Sequence, residues 1–306
     1  LTERLLPTDL NLGWGYGHFS AGVRALKWQT LQDVTAPIVP PYDRLPQATG
    51  RYARYDVGGF DFSVDADYTQ FSADRDRTNQ PNAKRSFVLG QISRPWLRPG
   101  WFFTPKLQLH ATRYEFDAPL PTGQLSSASR TVPTFSLDSG LVFERKAQWF
   151  GRDWLQTLEP RAFYVNTPYR DQNFLPNYDS GISDFNLATI YTENAFVGND
   201  RISDSNVLTL GVTTRFLEPA TGAEVARFGL AQRLRFKDQL VHLPGGEPVV
   251  DRLSDFLAGA SLNLAPRWTL DTMVQYNPKT QRSERFTVGG RFSPSNYRVI
   301  SAAYRV

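Results

Sequence analysis

An alternation of apolar and polar residues with a period of two runs through most of this chain, and it constrains the fold more than any other feature. Over 60–69 the apolar set Phe60, Phe62, Val64, Ala66 and Tyr68 alternates with Asp61, Ser63, Asp65, Asp67 and Thr69. This spacing places the two sets on opposite faces of a β-strand. The pattern recurs after Phe103, Phe256, Trp268 and Phe286, whereas no stretch shows a sustained helical repeat. The sequence therefore predicts an all-β fold.

Turn-forming residues divide the chain into about 14 predicted strands. They lie at 9–17, 21–32, 50–56, 60–71, 85–93, 101–116, 132–144, 154–165, 206–216, 225–236, 254–264, 268–277, 284–293 and 297–306. The connections alternate in length. The short ones are at 18–20, 57–59, 94–100, 145–153, 217–224, 265–267 and 294–296, and the long ones at 33–49, 72–84, 117–131, 166–205 and 237–253, with 278–283 of intermediate length.

Short turns at one end and long loops at the other are typical of an outer-membrane β-barrel with up-and-down strands. Most predicted strands exceed the usual length of about five or six residues in soluble sheets. Many apolar faces begin or end in an aromatic residue, as an interfacial girdle requires: Trp101, Trp154, Tyr164, Trp268 and Tyr276. We therefore predict an antiparallel transmembrane β-barrel. A soluble sandwich or propeller would have shorter strands and no alternation of loop length.

Composition excludes several other classes of protein. No apolar run approaches the ~20 residues of a transmembrane helix, so a helical membrane bundle is excluded. Charged residues nearly balance, with 34 Lys and Arg against 30 Asp and Glu and no basic block. This balance gives no indication of nucleic-acid binding. Since the chain contains no cysteine, disulfides and thiolate chemistry are excluded within these residues.

The sequence offers few candidates for catalysis or metal binding. His18 and Ser20 are two residues apart, the relation in which a barrel phospholipase pairs its histidine and serine, but no third group is evident to orient the imidazole. His110 lies among polar residues and is predicted to line the barrel interior, and His242 to be exposed. Acidic clusters lack the spacing and turn glycine of calcium loops. We expect no catalytic residue, metal site or cofactor.

The segment 158–216 consists of a strand, a long loop at 166–205 and another strand. The loop is rich in aromatic residues, so we expect it to pack on the barrel interior. It carries six carboxylates: Asp171, Asp179, Asp184, Glu193, Asp200 and Asp204. Glu159 and Arg161 share a strand face that we assign to the interior, and Arg215 lies on the matching face of the next strand. We predict that these two arginines pair with loop carboxylates. The alternative left open is a set of solvated loop charges.

At these residues the chain resembles the lipopolysaccharide-assembly outer-membrane protein family, LptD. The matching pieces are Leu158-Glu159-Pro160-Arg161, Pro168-Tyr169-Arg170-Asp171-Gln172, Tyr178-Asp179-Ser180, Asp184-Phe185-Asn186, Glu193-Asn194, Gly198, Asp200-Arg201-Ile202, Asp204-Ser205-Asn206 and Gly211-Val212-Thr213-Thr214-Arg215-Phe216. Trp149-Phe150-Gly151-Arg152-Asp153 upstream is also similar. The candidate interior ion-pair and packing residues are Glu159, Arg161, Tyr169, Arg170, Asp171, Asp184, Asp200, Arg201, Asp204, Asn206 and Arg215.

The resemblance implies a non-enzymatic translocon in the outer membrane of Gram-negative bacteria, whose barrel wall opens to pass lipopolysaccharide into the outer leaflet. It also implies an LptE-like lipoprotein plug in the lumen and a periplasmic bridge that delivers lipopolysaccharide through an N-terminal jellyroll. This chain shows neither the jellyroll nor the family's cysteine pairs. We therefore expect residues 1–306 to be an internal part of one barrel domain, without the terminal strands and the lateral gate. A porin-like channel or a barrel phospholipase remains the alternative.

Overall fold

The computed structural model describes residues 4–149, 151–263, 267–295 and 298–306. The strands are β1 (Leu5–Tyr16), β2 (Phe19–Thr30), β3 (Asp43–Val57), β4 (Phe60–Ser72), β5 (Ala83–Ser93), β6 (Trp96–Arg98), β7 (Trp101–Phe116), β8 (Ser127–Leu141), β9 (Phe143–Trp149), β10 (Arg152–Thr167), β11 (Gly181–Ile182), β12 (Phe196–Val197), β13 (Ser205–Leu217), β14 (Glu224–Arg235), β15 (Phe256–Asn263), β16 (Trp268–Asn277), β17 (Arg282–Ser295) and β18 (Arg298–Arg305). A single-turn helix, α1 (Arg75–Thr78), lies between β4 and β5. Across the described ranges, no helix has the length and apolarity needed to cross a membrane.

The strands form one antiparallel sheet in which neighbours in sequence are neighbours in space. The order is β1-β2-β3-β4-β5-β7-β8-β10-β13-β14-β15-β16-β17-β18. The short strands β6 and β9 extend β5 and β8, because β6 pairs with β7 and β9 pairs with β10. The predicted all-β, antiparallel, up-and-down fold is therefore confirmed.

Connection lengths alternate along the meander. At one end of the sheet β1 and β2 are joined at Gly17–His18, β3 and β4 at Gly58–Gly59, and β6 and β7 at Pro99–Gly100. Gly58 and Gly59 both have positive φ, which glycine adopts without a Cβ penalty. At the other end the loops are longer, at 31–42, 73–82, 117–126, 168–204 and 236–255, except for the four-residue turn 278–281 between β16 and β17. We call these the short-turn end and the long-loop end.

Several predicted boundaries are wrong. β6 occupies Trp96–Arg98 of the connection expected at 94–100, and β9 with the start of β10 occupies most of the one expected at 145–153. Backbone pairing does not require apolar side chains, so the polar run of β9 still pairs with β10. β3 begins at Asp43 rather than at residue 50. Pro46 has no N–H to donate, but it does not end the strand, because it lies in a register shift between Arg44 and Gln47.

A few predicted features fall on positions outside the described residues. Phe150 of the family-like segment is one of them. The end of the strand predicted at 254–264, most of the turn 265–267, residue 296 of the turn 294–296 and the first residue of the strand predicted at 297–306 are the others.

In β4 and the other central strands the two faces of the sheet differ in exposure, whereas the edge strands β1 and β18 are exposed on both faces. One face, here the outer face, presents Val64, Leu107, Leu109 and Leu158 to the surroundings. On the opposite, inner face, Thr69 is fully buried, and Asp65 shares this face by its position in the strand. The face assignment of Val64 and Asp65 therefore follows the sequence alternation.

The sheet has two free edges and is not closed. Within the described ranges β1 pairs only with β2, and β18 pairs only with β17. Unpaired backbone groups along such edges are not tolerated in the hydrocarbon of a membrane.

Candidate functional site

The loop at 168–204, here the long loop, lies across the inner face instead of extending away from the sheet. It joins β10 to β13 and contains a small hairpin in which Gly181 and Ile182 of β11 pair with Val197 and Phe196 of β12. Its contacts reach from Arg85 on β5 to Leu257 on β15. A single loop therefore covers the inner face over many strands.

Tyr178 anchors the long loop in an aromatic cluster above β4 and β7. Its ring stacks on Phe71 with centroids 4.9 Å apart, and it meets Tyr42 edge-on at 4.9 Å. The hydroxyl donates to the Pro81 carbonyl at 2.9 Å. Phe71, Tyr114 and Tyr178 belong to the largest buried apolar cluster among the described residues. Such aromatic pairs contribute roughly 0.5–1.5 kcal/mol each beyond simple burial.

A buried arginine binds two loop carboxylates beside this cluster. Arg85 on β5 donates from Nη1 and Nη2 to the two Asp179 oxygens at 2.8 and 2.7 Å, and from Nη1 to Asp200 Oδ1 at 2.9 Å. The guanidinium also lies over the Phe71 ring, 4.9 Å from its centroid. We call Arg85, Asp179 and Asp200 the arginine–aspartate centre. Its three side chains are 1%, 5% and 0% exposed, so the charges compensate one another away from water.

Further donors complete the hydrogen bonding of Asp200. The Tyr114 hydroxyl donates to Oδ1 at 2.8 Å, and the backbone N–H groups of Tyr178 and Asp179 donate to Oδ2 at 2.7 and 2.8 Å. Arg130 on β8 donates to the backbone carbonyls of Asn199 and Asp200. Loop backbone and loop carboxylates are thus both fixed by strand side chains.

The pKa values of the two carboxylates in the arginine–aspartate centre are shifted in opposite directions. Burial acts to raise the pKa of Asp179, but the hydrogen bonds and charge of Arg85 outweigh it and hold that pKa below its usual value. Burial raises the pKa of Asp200 against the attraction of Arg85. Asp179 therefore keeps its charge to lower pH than Asp200. Burial also raises the pKa of the Tyr178 hydroxyl, which stays a neutral donor.

A second anchor holds the long loop against β13, β14 and β15. Ile190 is fully buried with Ala231 and Leu257. Its carbonyl accepts a hydrogen bond from Arg233, whose Nε also donates to Thr209 Oγ1 at 3.3 Å. Apolar packing and a buried guanidinium therefore act together here, as they do at the arginine–aspartate centre.

Glycines on the inner face leave space for the side chains of this second anchor. A Cβ on Gly211 would overlap the Tyr191 hydroxyl, and one on Gly259 would approach Leu187 Cδ1 to 2.7 Å. Real Cβ atoms do not come this close to their neighbours. Gly211 and Gly259 therefore make the close approach of the loop possible.

The partners predicted for Arg161 and Arg215 are wrong. Arg161 does form a two-pronged ion pair, at 2.9 and 2.7 Å, but with Asp138 of β8 rather than with a loop carboxylate. Arg215 binds Glu159 at 3.1 Å and Glu224 at 3.6 Å, both on the sheet. Strand neighbours are held at fixed short range by the sheet register, so they reach these arginines before the loop does. Arg161 still contacts the loop, because its guanidinium lies 4.1 Å from the Tyr191 ring centroid.

Two predicted residues tie the long loop to the loop at 236–255, here the second loop. Asp204 accepts hydrogen bonds from the Leu240 and Val241 backbone N–H groups, at 3.0 and 2.9 Å to Oδ1. Arg201 is fully buried and donates to the carbonyls of Leu175 at 2.5 Å and His242 at 3.2 Å. The two loops therefore form one structure above the sheet.

The remaining predicted residues lie away from these anchors. Tyr169 and Arg170 are exposed, and Asp171 caps a turn by accepting from the Asn173 N–H at 3.1 Å. Asp184 is exposed as well. Asn206 lies on the outer face, where it accepts from Tyr164 at 3.0 Å, so its assignment to the interior is wrong. Asn206 alternates with Val207, which faces the buried cluster of the inner face.

The histidines have ordinary surroundings. His110 is buried on the inner face, with Nε2 3.4 Å from Asn199 Oδ1, and His242 is half-buried rather than exposed as predicted. His18 lies in the first turn, its ring edge-on to Tyr52 with centroids 6.1 Å apart. The His18 carbonyl accepts from the Ala53 N–H at 3.1 Å, and among the described residues no hydrogen bond joins His18 to Ser20. The same part has no group of three His, Cys, Asp or Glu side chains arranged for a metal.

Sequence reasoning missed the three arginines that hold the loop: Arg85, Arg130 and Arg233. The prediction considered only β10 and β13, the strands that adjoin the loop in sequence. A signal was available for Arg130 and Arg233, which lie on the more polar side of their strands' alternation close to the long-loop end. Arg85 is also close to that end, but it shares its face with Phe87 and Leu89, so alternation does not single it out. What could not be seen was which distant strand each loop segment would reach.

Comparison with known proteins identifies a family. Residues 3–306 match the family model LptD, described as LPS transport system D. The chain is 66% identical to the LPS-assembly protein LptD of Polaromonas sp. strain JS666, with 99% of this chain covered, and 46% identical to that of Ralstonia nicotianae, also over 99%. It spans 38% of the length of both relatives.

Solved structures show a weaker likeness. The chain is similar to FpvA of P. aeruginosa with a TM-score of 0.38 at 15% identity, covering 98% of this chain and 46% of FpvA. It is similar to the siderophore receptor PiuA of Acinetobacter baumannii with a TM-score of 0.33 at 12% identity, covering 99% and 55%. Neither score is high enough to support an inference about fold or function.

Proposed function

The chain belongs to the LptD family, and on that premise we propose that it forms part of an outer-membrane barrel that inserts lipopolysaccharide into the outer leaflet of Gram-negative cells. The name of its relatives, LPS-assembly protein LptD, supports this function. Because the chain spans 38% of those relatives, the activity is proposed for the whole protein. We also propose that these residues are an internal part of one barrel domain. The two free edges support this, since in a closed barrel both would have to be paired.

The observation that carries the proposal is the long loop fixed across the inner face. A diffusion channel needs a wet interior, whereas here Arg85 and Asp200 are buried beneath a packed loop. An interior that is covered by a packed loop suits a protein that releases its cargo through the barrel wall. A general porin is therefore not favoured. A phospholipase is not favoured either, because His18 and Ser20 belong to the first turn and its flank, without a hydrogen bond between them in the described residues.

The partners proposed are those that the resemblance at 158–216 implies. They are an LptE-like lipoprotein in the lumen and a periplasmic bridge that reaches the barrel through a jellyroll outside these residues. The proposed lateral gate also lies outside them. Lipopolysaccharide itself would cross without covalent change, so we propose no catalytic residue and no cofactor. The protein would then bind lipopolysaccharide, orient it and shield it from water.

Conditional depletion of the full-length protein in its host tests the function. Surface-exposed lipopolysaccharide should fall while its synthesis continues, and plasmid-borne wild-type protein should restore it. The readout is labelling of intact cells against total lipopolysaccharide in lysates. If depletion instead slowed the uptake of small solutes and left surface lipopolysaccharide unchanged, the protein would be a channel and the proposal would fail.

A further inference from the structure

An apolar groove of about 810 Å³ crosses the outer face, on the side opposite the long loop. It begins near the short-turn end, between β6 and β7, and runs across β8, β10 and β13. Its outer-face lining is aromatic or leucine at the sides and small in the middle: Trp96, Trp101, Phe103, Ser139, Leu141, Pro160, Ala162 and Leu210. The other four lining residues are the sequence neighbours of these. The groove is therefore a feature of the outer surface.

A cation lies beside the aromatic end of this groove. The Arg94 guanidinium carbon is 4.8 Å from the Phe60 ring centroid and 5.1 Å from that of Trp96, which itself lines the groove. Arg94 lies on the outer face because it packs on Phe60 and Trp96, and Arg98 shares this face because it is two residues from Trp96 in β6. Among the ion pairs of the described ranges, which include Arg24–Asp9 and Arg51–Asp65 on neighbouring strands, none involves Arg94. The aromatic rings hold this charge at the surface without neutralising it.

We propose that this groove binds a phospholipid of the inner leaflet, with one acyl chain in the groove and the phosphate on Arg94. The inference rests on the proposed function, since it requires the sheet to span the outer membrane. Short turns of such barrels face the periplasm, so the short-turn end lies at the level of the inner-leaflet headgroups. Trp96 and Trp101 lie at this level, where indole rings concentrate.

Charge and shape select the occupant. A guanidinium pairs with a phosphate through two parallel hydrogen bonds, which a water molecule or a neutral headgroup cannot reproduce. The small side chains of Ser139, Pro160 and Ala162 leave a depression that a single flexible chain fills, with Phe103 and Leu210 at its sides. Lipopolysaccharide is not the occupant, because its sugars and phosphates belong to the opposite leaflet from Arg94.

Native mass spectrometry of the full-length protein in mild detergent, titrated with palmitoyl-oleoyl phosphatidylglycerol, tests the site. Arg94→Gln should lower the occupancy of the tightest lipid adduct about tenfold, the loss expected for one charge-assisted contact. Ala162→Phe should lower it as well, because the ring fills the depression that the acyl chain would occupy. Arg113→Gln and Ala111→Phe are the matched controls. Both lie on the outer face away from the groove, and Arg113 lies near the long-loop end. Inorganic phosphate and a neutral diacylglycerol, tested alone, should bind far more weakly.

Equal occupancy in all variants, or equal loss in the controls, would overturn the proposal and leave the groove as ordinary lipid contact. Binding of lipopolysaccharide in place of phospholipid would overturn it as well. Heat-modifiable mobility on gels verifies assembly of each variant, and if Ala162→Phe does not assemble, Arg94→Gln decides. Failure of the proposed function would appear differently, in the depletion experiment, as surface lipopolysaccharide that remains unchanged.

Discussion

Arg85 and Asp179 are 94 residues apart in sequence, yet the guanidinium of one and the carboxylate of the other meet through two hydrogen bonds of 2.8 and 2.7 Å in a buried site. Asp200 shares the same guanidinium at 2.9 Å. A buried ion pair contributes little net stability against an apolar alternative, but breaking one side of it is costly. The arginine–aspartate centre therefore fixes where the long loop docks more than how stable the sheet is.

Replacing the buried arginine should release the loop. In the full-length protein, Arg85→Gln leaves two buried carboxylates without their cation, at a cost of about 3–5 kcal/mol to the docked loop. Limited proteolysis should then cut within 168–204 much faster than in the wild type. Arg51→Gln is the control, since the Arg51–Asp65 pair is more exposed and contributes only ~0–1 kcal/mol. Equal cleavage of wild type and Arg85→Gln would show that the pair does not hold the loop.

The close approach of Gly211 and Tyr191 leads to a second prediction. Gly211→Ala should push the tyrosine ring off the sheet, because the new Cβ overlaps its hydroxyl, and should raise cleavage of the long loop. Adding Tyr191→Phe should partly restore protection, since it removes the overlapping atom. Gly90→Ala is the control, because a Cβ there meets nothing within 4 Å. Additive effects of Gly211→Ala and Tyr191→Phe would argue against a direct clash.

The link between the two loops depends on one carboxylate. Asp204→Ala removes the acceptor of the Leu240 and Val241 N–H groups, so both amides should exchange hydrogen faster. Exchange measured by mass spectrometry on peptides from 236–255 reports this directly. Asp251→Ala, which breaks the exposed pair with Lys279, should leave the exchange of the Leu240 and Val241 amides unchanged. Unchanged exchange in Asp204→Ala would mean that other contacts, such as Arg201 to His242, suffice.

The face assignment of β4 yields a fourth prediction. Val64 is exposed on the outer face, so Val64→Arg should cost about 2–4 kcal/mol if it lies near mid-bilayer. Asp65→Asn on the inner face should alter only the pair with Arg51. Assembly yield of the full-length protein in the outer membrane compares the two. Equal tolerance would reverse or discard the assigned register.

The sheet was largely predictable because period two is a local property: the alternation around Val64 and Asp65 is readable from adjacent residues. The position of β3 was not, since Pro46 suggests a strand end unless its bulge is known. The docking of the loop was predictable only in outline. Its aromatic residues require a surface, but the choice of Arg85 rather than Arg161 as partner depends on how far the loop travels across the sheet. No spacing in the sequence encodes that distance.

Single-channel conductance of the full-length protein in planar bilayers tests most directly whether the long loop closes the interior. The wild type should remain closed at moderate voltage, and Arg51→Gln should behave in the same way. Arg85→Gln should show conducting openings, because the loop is no longer tied to β5. A wild type that conducts steadily like a porin, or an assembled Arg85→Gln protein that stays silent, would contradict the account.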